Sequence, residues 1–250
     1  MASVRQHYED HLGPIYGWMI GDSDAAVKAA CDELRAVGIA DGAGRVAVDL
    51  GSGPGTHAIA LAEAGYAVTA IDTCAMLLEE LRSRARDHTI RCVNDDVLHL
   101  RMHCDGLVDV VLCMGDTLTH LESLESVERL FEAIAGVMSP DGMFVTTFRD
   151  YATRALEGVD RFIPVRQDAG RILTCCLEYS ESTVAVYDLL HERTDLGWTL
   201  RVSSYMKLRL DPEWACATLR RLGLTATLAA GARGMVRLVA IRQPGAARTN

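Results

Sequence analysis

The chain predicts an α/β fold, a doubly wound and mostly parallel seven-stranded sheet with an N-terminal helical lid and antiparallel strands inserted after the fifth core strand. Between Arg45 and Ile241 short β-branched runs alternate with helical stretches, the pattern of a parallel sheet with crossover helices. The first run, Arg45–Leu50 (RVAVDL), leads straight into a glycine-rich turn and a helix. Later, Arg171–Glu178, Thr183–Glu192 and Trp198–Leu210 follow one another as strands with no helix between them, which marks the insertion.

Taken in order, Asp22 to Gly38 is helical: Val27, Ala30, Cys31 and Leu34 share a face, Asp22 or Ser23 caps it and Gly38 ends it. After Arg45–Leu50 the helix runs to Ala64. Ala67–Ile71 is the second strand, Cys74–Arg86 a helix, and Ile90–Val93 and Val108–Met114 the third and fourth strands. Leu121, Leu124, Val127, Leu130, Phe131, Ile134 and Val137 form a helical stripe ahead of the strand Gly142–Phe148. Beyond the insertion, Asp211 caps a helix with Pro212 in its first turn and Gly223 at its end. Leu224–Ala229 and Gly234–Ile241 close the sheet as a hairpin. This divides the chain into a lid segment (1–40), a cofactor-binding core (41–150), the insertion (151–210), completion of the core (211–242) and a disordered tail (243–250).

Composition removes several function classes. A formal net charge of −9 disfavours a nucleic-acid partner, which needs clustered cations, and the only lysines are Lys28 and Lys207. No apolar run approaches the ~20 residues that span a bilayer. The eight cysteines form no CxxC pair, and Met1 to Asp10 lacks an export signal, so a reducing cytoplasmic location is expected. The expected partner is a small molecule, and the inserted strands offer an edge on which a homodimer would pair.

The strongest chemical signal is Asp49-Leu-Gly51-Ser-Gly53-Pro-Gly55 after the first strand. A strand-to-helix turn at the carboxyl edge of a parallel sheet is where such folds bind ligands, and glycine lets backbone approach them closely. Asp72, ending the second strand, can take both hydroxyls of a ribose. A dinucleotide fingerprint would need glycine at position 56, where Thr56 stands. Asp49 also adds negative charge beside the turn, which suits the cationic sulfonium and amino group of S-adenosylmethionine better than a pyrophosphate.

The run VAVDLGSGPGTHAIALAEAGYAVTAIDTCAMLLEEL resembles motif I through the second strand of class I S-adenosylmethionine-dependent methyltransferases, and the resemblance extends over about residues 5 to 242. It implies a Rossmann-like core. Gly51, Ser52, Gly53 and Gly55 would line the methionine end, and Asp72 with Thr73 the ribose. Asp96 with Val97, or Asp95 beside them, would meet the adenine. The fourth strand ends VLCMGDTLTHL, which places Met114, Gly115, Asp116, Thr117 and His120 at the methyl end, with Cys113 beside Met114 among the cofactor contacts. That loop is similar to the one in glycine and sarcosine N-methyltransferases, with Asp116 where those enzymes carry Asn.

Arg149 falls where the glycine enzymes hold the substrate carboxylate; a salt bridge with Asp150 or a surface role is the competing reading. Tyr8, His11, Tyr16 and Trp18 lie in a segment that folds over the cofactor in methyltransferases of this type, and aromatic faces suit a cationic amine. Packing of a first helix is the plainer account of the same residues. An amine must be neutral to attack a methyl group, so His120, Asp116 or His11 is the expected proton acceptor. His7 with His11, and His99 with His103, stand at i, i+4, but further ligands are missing at motif spacing and no metal is expected. The reading is methyl transfer to an amine of an amino-acid-like compound, with a phenol or other hydroxyl as the alternative acceptor.

Overall fold

The first strand shows how the sheet is built: along Val46–Leu50, Ala47 faces one layer of helices while Val48 and Leu50 face the other. The computed structural model describes residues 1–85 and 88–243. Four short turns open the chain: α1 (Val4–His7), a π-helical turn Tyr8–Leu12, a 3₁₀ turn Gly13–Ile15 and α2 (Tyr16–Ile20). Next come α3 (Ser23–Ala36), β1 (Val46–Leu50), α4 (Thr56–Glu63), β2 (Ala67–Asp72), α5 (Ala75–Arg84), β3 (Ile90–Asn94), β4 (Val108–Cys113), α6 (Leu124–Val137) and β5 (Met138–Phe148). A four-stranded block of β6 (Phe162–Gln167), β7 (Arg171–Tyr179), β8 (Thr183–Thr194) and β9 (Gly197–Leu208) follows. Then α7 (Pro212–Arg221), β10 (Leu224–Ala230) and β11 (Val236–Arg242) complete the chain.

The main sheet has the order β10-β11-β5-β4-β1-β2-β3, with β11 antiparallel to both its neighbours. The order reverses between β1 and β4, and the crevice there is the topological switch point where open α/β sheets bind ligands. One face buries Phe131, Ile134, Phe144 and Phe148 under α6 and α7; the other buries Leu34, Ala58, Leu61 and Leu112 under α3, α4 and α5. Each large apolar side chain so buried contributes about 1.5–3 kcal/mol. The capping expected from the sequence is present: the Asp22 carboxylate accepts from the Asp24 and Ala25 amides, and that of Asp211 from the Glu213 amide.

The inserted block is a separate antiparallel sheet, β6-β7-β8-β9. Its edge strand β6 was absent from the sequence reading because it shows no alternation: nearly every residue is exposed, and Pro164 sits in it, as an edge strand allows. The N-terminal turns pack on this sheet. Leu12 and Ile15 cluster with Leu173 and Leu190. His7 is fully enclosed, its Nε2 on Asp188 Oδ2 (2.9 Å) and its Nδ1 on Ser203 Oγ (2.7 Å), and the Ala2 amide donates to the Ser204 carbonyl. Val97–His103 forms a 3₁₀ turn, capped by the Asp96 carboxylate on the Leu98 amide. Gln243 contacts Thr225, and the remainder of the expected disordered tail lies outside the described residues.

Candidate active site

A cavity of about 880 Å³ opens over the carboxyl ends of β1, β2 and β4. The glycine-rich turn forms its floor. Gly51 has φ +68°, and a Cβ there would collide with the Thr117 side chain. The Gly53 amide donates to Asp72 Oδ2 at 2.8 Å, and the Cys74 amide to Asp72 Oδ1 at 2.8 Å. Each of those oxygens keeps a lone pair for a ligand hydroxyl. Gly55 does not reach the cavity; a Cβ there would strike Leu81, so its part is helix packing and not ligand contact.

Two polar groups on the floor have no partner among the described residues, Asp49 Oδ2 and Ser52 Oγ, and both residues line the cavity. Burial lifts the Asp49 carboxyl to about 6. The Ala58 amide donates to this carboxyl, but its Oδ2 is left without a donor, and a cation set against that oxygen would relieve the cost of burying it. Thr73, Asp96, Val97 and Leu77 line the cavity near the ends of β2 and β3. Asp95 turns away: its two oxygens take His99 Nδ1 (2.8 Å) and His103 Nε2 (2.7 Å). That separates the two aspartates the sequence left open, and it also accounts for the His99–His103 pair.

At the end of β4, Gly115 and Asp116 both take positive φ (+70° and +83°), and the chain turns into a 3₁₀ element, Thr117–His120. Met114 and His120 line the cavity, whereas Cys113 is fully buried behind it. The His120 ring lies 5.6 Å from those of Tyr8 and Tyr205, and its Nε2 has no hydrogen-bond partner among the described residues. Burial, then the nearby Lys207 ammonium, push this imidazole down to about 3, so it is neutral. Tyr8 and Tyr16 also line the cavity, and burial drives both phenols up, Tyr16 to about 12.

Four residues singled out in the sequence are placed elsewhere. Asp116 is buried under the cavity wall, where its carboxylate takes the Lys207 ammonium, the Tyr151 hydroxyl (3.1 Å) and the Arg149 amide (2.9 Å). Burial opposes its ionisation, but Lys207, His120 and these donors outweigh it and hold the carboxyl below its ordinary range. Asp116 is thus the buried counter-ion of Lys207, with two donors on its Oδ2 and one on its Oδ1. His11 packs beside His7, at 5.3 Å between rings, outside the cavity lining. Trp18 donates to Asp168 Oδ2 at 2.6 Å and carries Arg166 and Arg171 on its faces, so it pins the N-terminal segment to the inserted sheet. Arg149 is exposed, and its guanidinium meets the Arg233 carbonyl at 3.3 Å.

Sequence reasoning missed Lys207, which enters the cavity wall from β9, and Glu33, His57, Arg233 and Arg237, which also line the cavity. The rarity of lysine and its place in a buried strand pattern were the available signals for Lys207; the others belong to no local motif.

Comparison with known proteins agrees with this geometry. Residues 47–142 match the family described as methyltransferase domain. The chain is 33% identical over 112 residues to a glycine/sarcosine N-methyltransferase from Aphanothece halophytica, covering 44% of this chain and 42% of that relative, so the match spans less than half of the curated relative. The CcbJ methyltransferase from Streptomyces caelestis superposes with a TM-score of 0.77 at 19% identity, over 96% of this chain and 99% of that one. An amino pentose methyltransferase from Micromonospora echinaspora, solved with S-adenosylmethionine bound, gives 0.72 at 18% identity over 88% and 91% of the two chains. The glycine cradle, the unpartnered Asp49 and Ser52 atoms and the free lone pairs of Asp72 fit that cofactor. With its switch-point fold and with residues 47–142 matched to the methyltransferase domain, the chain is similar to the class I S-adenosylmethionine-dependent methyltransferases.

Proposed function

We propose that the protein methylates a neutral amine nitrogen of a small, amino-acid-like molecule held between Tyr8, Tyr16 and His120. S-adenosylmethionine supplies the activated methyl group; the chain has to bind it, align the acceptor lone pair and keep water out. Gly51, Ser52 and Gly53 cradle the methionine end, Asp49 faces its positive charge, Asp72 with Thr73 holds the ribose, and Asp96 with Val97 lies at the adenine. Tyr8 and Tyr16 cover the reacting centre from the N-terminal segment.

The observation that carries the acceptor assignment is the unpartnered, neutral His120 in the cavity wall. Its low affinity for a proton defines its work. Moving a proton to it from an ordinary α-ammonium, near 8, runs uphill by roughly 7 kcal/mol, too much for His120 to deprotonate the substrate unaided. The acceptor therefore reacts as the free amine, and His120 accepts a hydrogen bond from its N–H, aiming the lone pair at the methyl. After transfer the surplus proton leaves to solvent. Release of S-adenosylhomocysteine, followed over primary and secondary amines, phenols and thiols, tests this. Turnover confined to amines is expected, and turnover confined to phenols overturns it.

Asp49 gives the cofactor site a pH signature. A bound cation needs the ionised carboxylate, and below about 6 the protein must first release a proton. The dissociation constant of S-adenosylmethionine is therefore expected to rise roughly tenfold per pH unit below about 6 and to be flat above it. Calorimetry from pH 5 to 8 shows this, and Asp49→Asn removes the slope.

A further inference from the structure

Asp95, His99 and His103 have no part in the scheme above. The Asp95 Oδ1 accepts from the Asp96 amide and from His99 Nδ1, both at 2.8 Å, and its Oδ2 takes His103 Nε2 at 2.7 Å. Bonds from His99, His103 and the Asp96 amide hold the Asp95 carboxyl well below its ordinary range, so it is ionised. A neutral imidazole donates from either ring nitrogen, according to tautomer, so this clasp needs no charged ring. It is tied down on both sides. The Asp95 amide and Asn94 Nδ2 donate to the Asp72 carbonyl, at 3.2 and 3.0 Å, and Arg91 Nη1 donates to the His103 carbonyl at 3.1 Å. Leu100, between the two histidines, is fully buried in the core. Asp95 therefore joins the strand end that carries Asp72 to the turn Val97–His103. Between them stands Asp96, which lines the cavity. Its Oδ1 accepts from the Leu98 amide at 2.9 Å, which leaves Oδ2 for a ligand. The backbone at Asp95 is not left-handed, so its side chain can be replaced without strain.

We propose that Asp95 is a positioning residue: clasped by His99 and His103 and bonded to the Asp96 amide, it fixes the Asp96 carboxylate against the exocyclic amine of the adenine and so sets the base selectivity of the cofactor site. The proposal rests on the reading of the cavity as the S-adenosylmethionine site with Asp96 at the adenine. An ionised carboxylate only accepts, so it favours an amine and opposes a keto oxygen at the same place. That discrimination is sharp while the carboxylate is held still and fades when it can swing away.

The test titrates S-adenosylhomocysteine and S-inosylhomocysteine, which carries a keto oxygen in place of the amine, into the full chain and its variants. The unmodified chain is expected to bind the adenosyl compound at least ~10-fold more tightly. In Asp95→Ala that ratio falls at least ~5-fold, through weaker binding of S-adenosylhomocysteine. The turnover number at saturating S-adenosylmethionine stays within about twofold, because the change is confined to cofactor binding. Asp95→Asn keeps an oxygen for the Asp96 amide and is expected to recover most of the ratio. His99→Ala, at a side chain 53% exposed, leaves the fold intact and is expected to lower the ratio about threefold. A native ratio in Asp95→Ala, including equal weakening of both compounds, overturns the positioning role; should that variant fail to fold, a native ratio in His99→Ala does so. An unmodified chain that binds both compounds equally would remove Asp96 from the adenine and the proposal with it. Failure of that chain to bind S-adenosylhomocysteine at all would instead overturn the reading of the cavity beneath it.

Discussion

Replacing His120 by alanine is expected to lower the turnover number by ~10²-fold while the cofactor dissociation constant stays within about threefold. The effect belongs to alignment. His120 lies in the cavity wall between Tyr8 and Tyr205, on a 3₁₀ turn fixed by the Thr119 hydroxyl on the Asp116 carbonyl (2.8 Å). Without its ring nitrogen, the acceptor amine loses the hydrogen bond that orients its lone pair, and misplacement by about 1 Å costs a factor of that size. His120→Gln keeps an acceptor at the site and is expected to recover part of the loss. The pH profile separates this role from that of a general base. With the imidazole at about 3, kcat/KM for the acceptor at saturating cofactor shows no limb near 6.5 and instead follows the ionisation of the acceptor amine. A limb near 6.5 that disappears in His120→Ala would assign proton removal to His120 and refute the alignment role.

The core of the fold was legible in the sequence because its signals are local. The strand RVAVDL, the glycine turn and the caps at Asp22 and Asp211 each lie within a few residues, and the structure places them as read. The sheet order was not locally encoded, but strands of this alternation have few ways to assemble. The floor of the site was legible for the same reason, since Asp49, Gly51, Ser52, Gly53 and Asp72 sit on two adjacent strand ends. The acceptor end was read less well, because its wall is assembled from segments far apart in the chain. Arg149 was placed by likeness to a motif, yet its side chain is exposed and its guanidinium lies on the Arg233 carbonyl. Asp116 stands in the acceptor loop, and only the arrival of Lys207, 91 residues later in the chain, turns its carboxylate into a buried counter-ion.

That pair predicts the largest effect on stability. Lys207 and Asp116 side chains are 9% and 7% exposed, and Lys207 also lies over the rings of Tyr151 and Tyr205. Lys207→Met keeps the length of the stem and removes the charge, which leaves a carboxylate buried without its cation. Breaking a buried pair from one side costs about 3–5 kcal/mol, whereas replacing both partners is often close to neutral. Denaturant unfolding should therefore show a loss in that range for Lys207→Met, and recovery of more than half of it in Lys207→Met with Asp116→Asn. In that double variant, the asparagine carbonyl still accepts from the Arg149 amide. The pair also reaches the chemistry. His120 has a folded pKa below its unfolded value, so it contributes stability above about 6.5 that is lost as the pH falls toward about 3. Asp116, also lowered on folding, loses its contribution in the same direction. Burial is the main cause at His120 and Lys207 the next, so the lysine-free protein holds His120 closer to its ordinary value. Lys207→Met should then gain a kcat/KM limb moving up toward 6.5 and lose stability less steeply in acid. A variant with native stability and an unchanged acid limb would show that neither the ion pair nor its field on His120 has the weight given to it here.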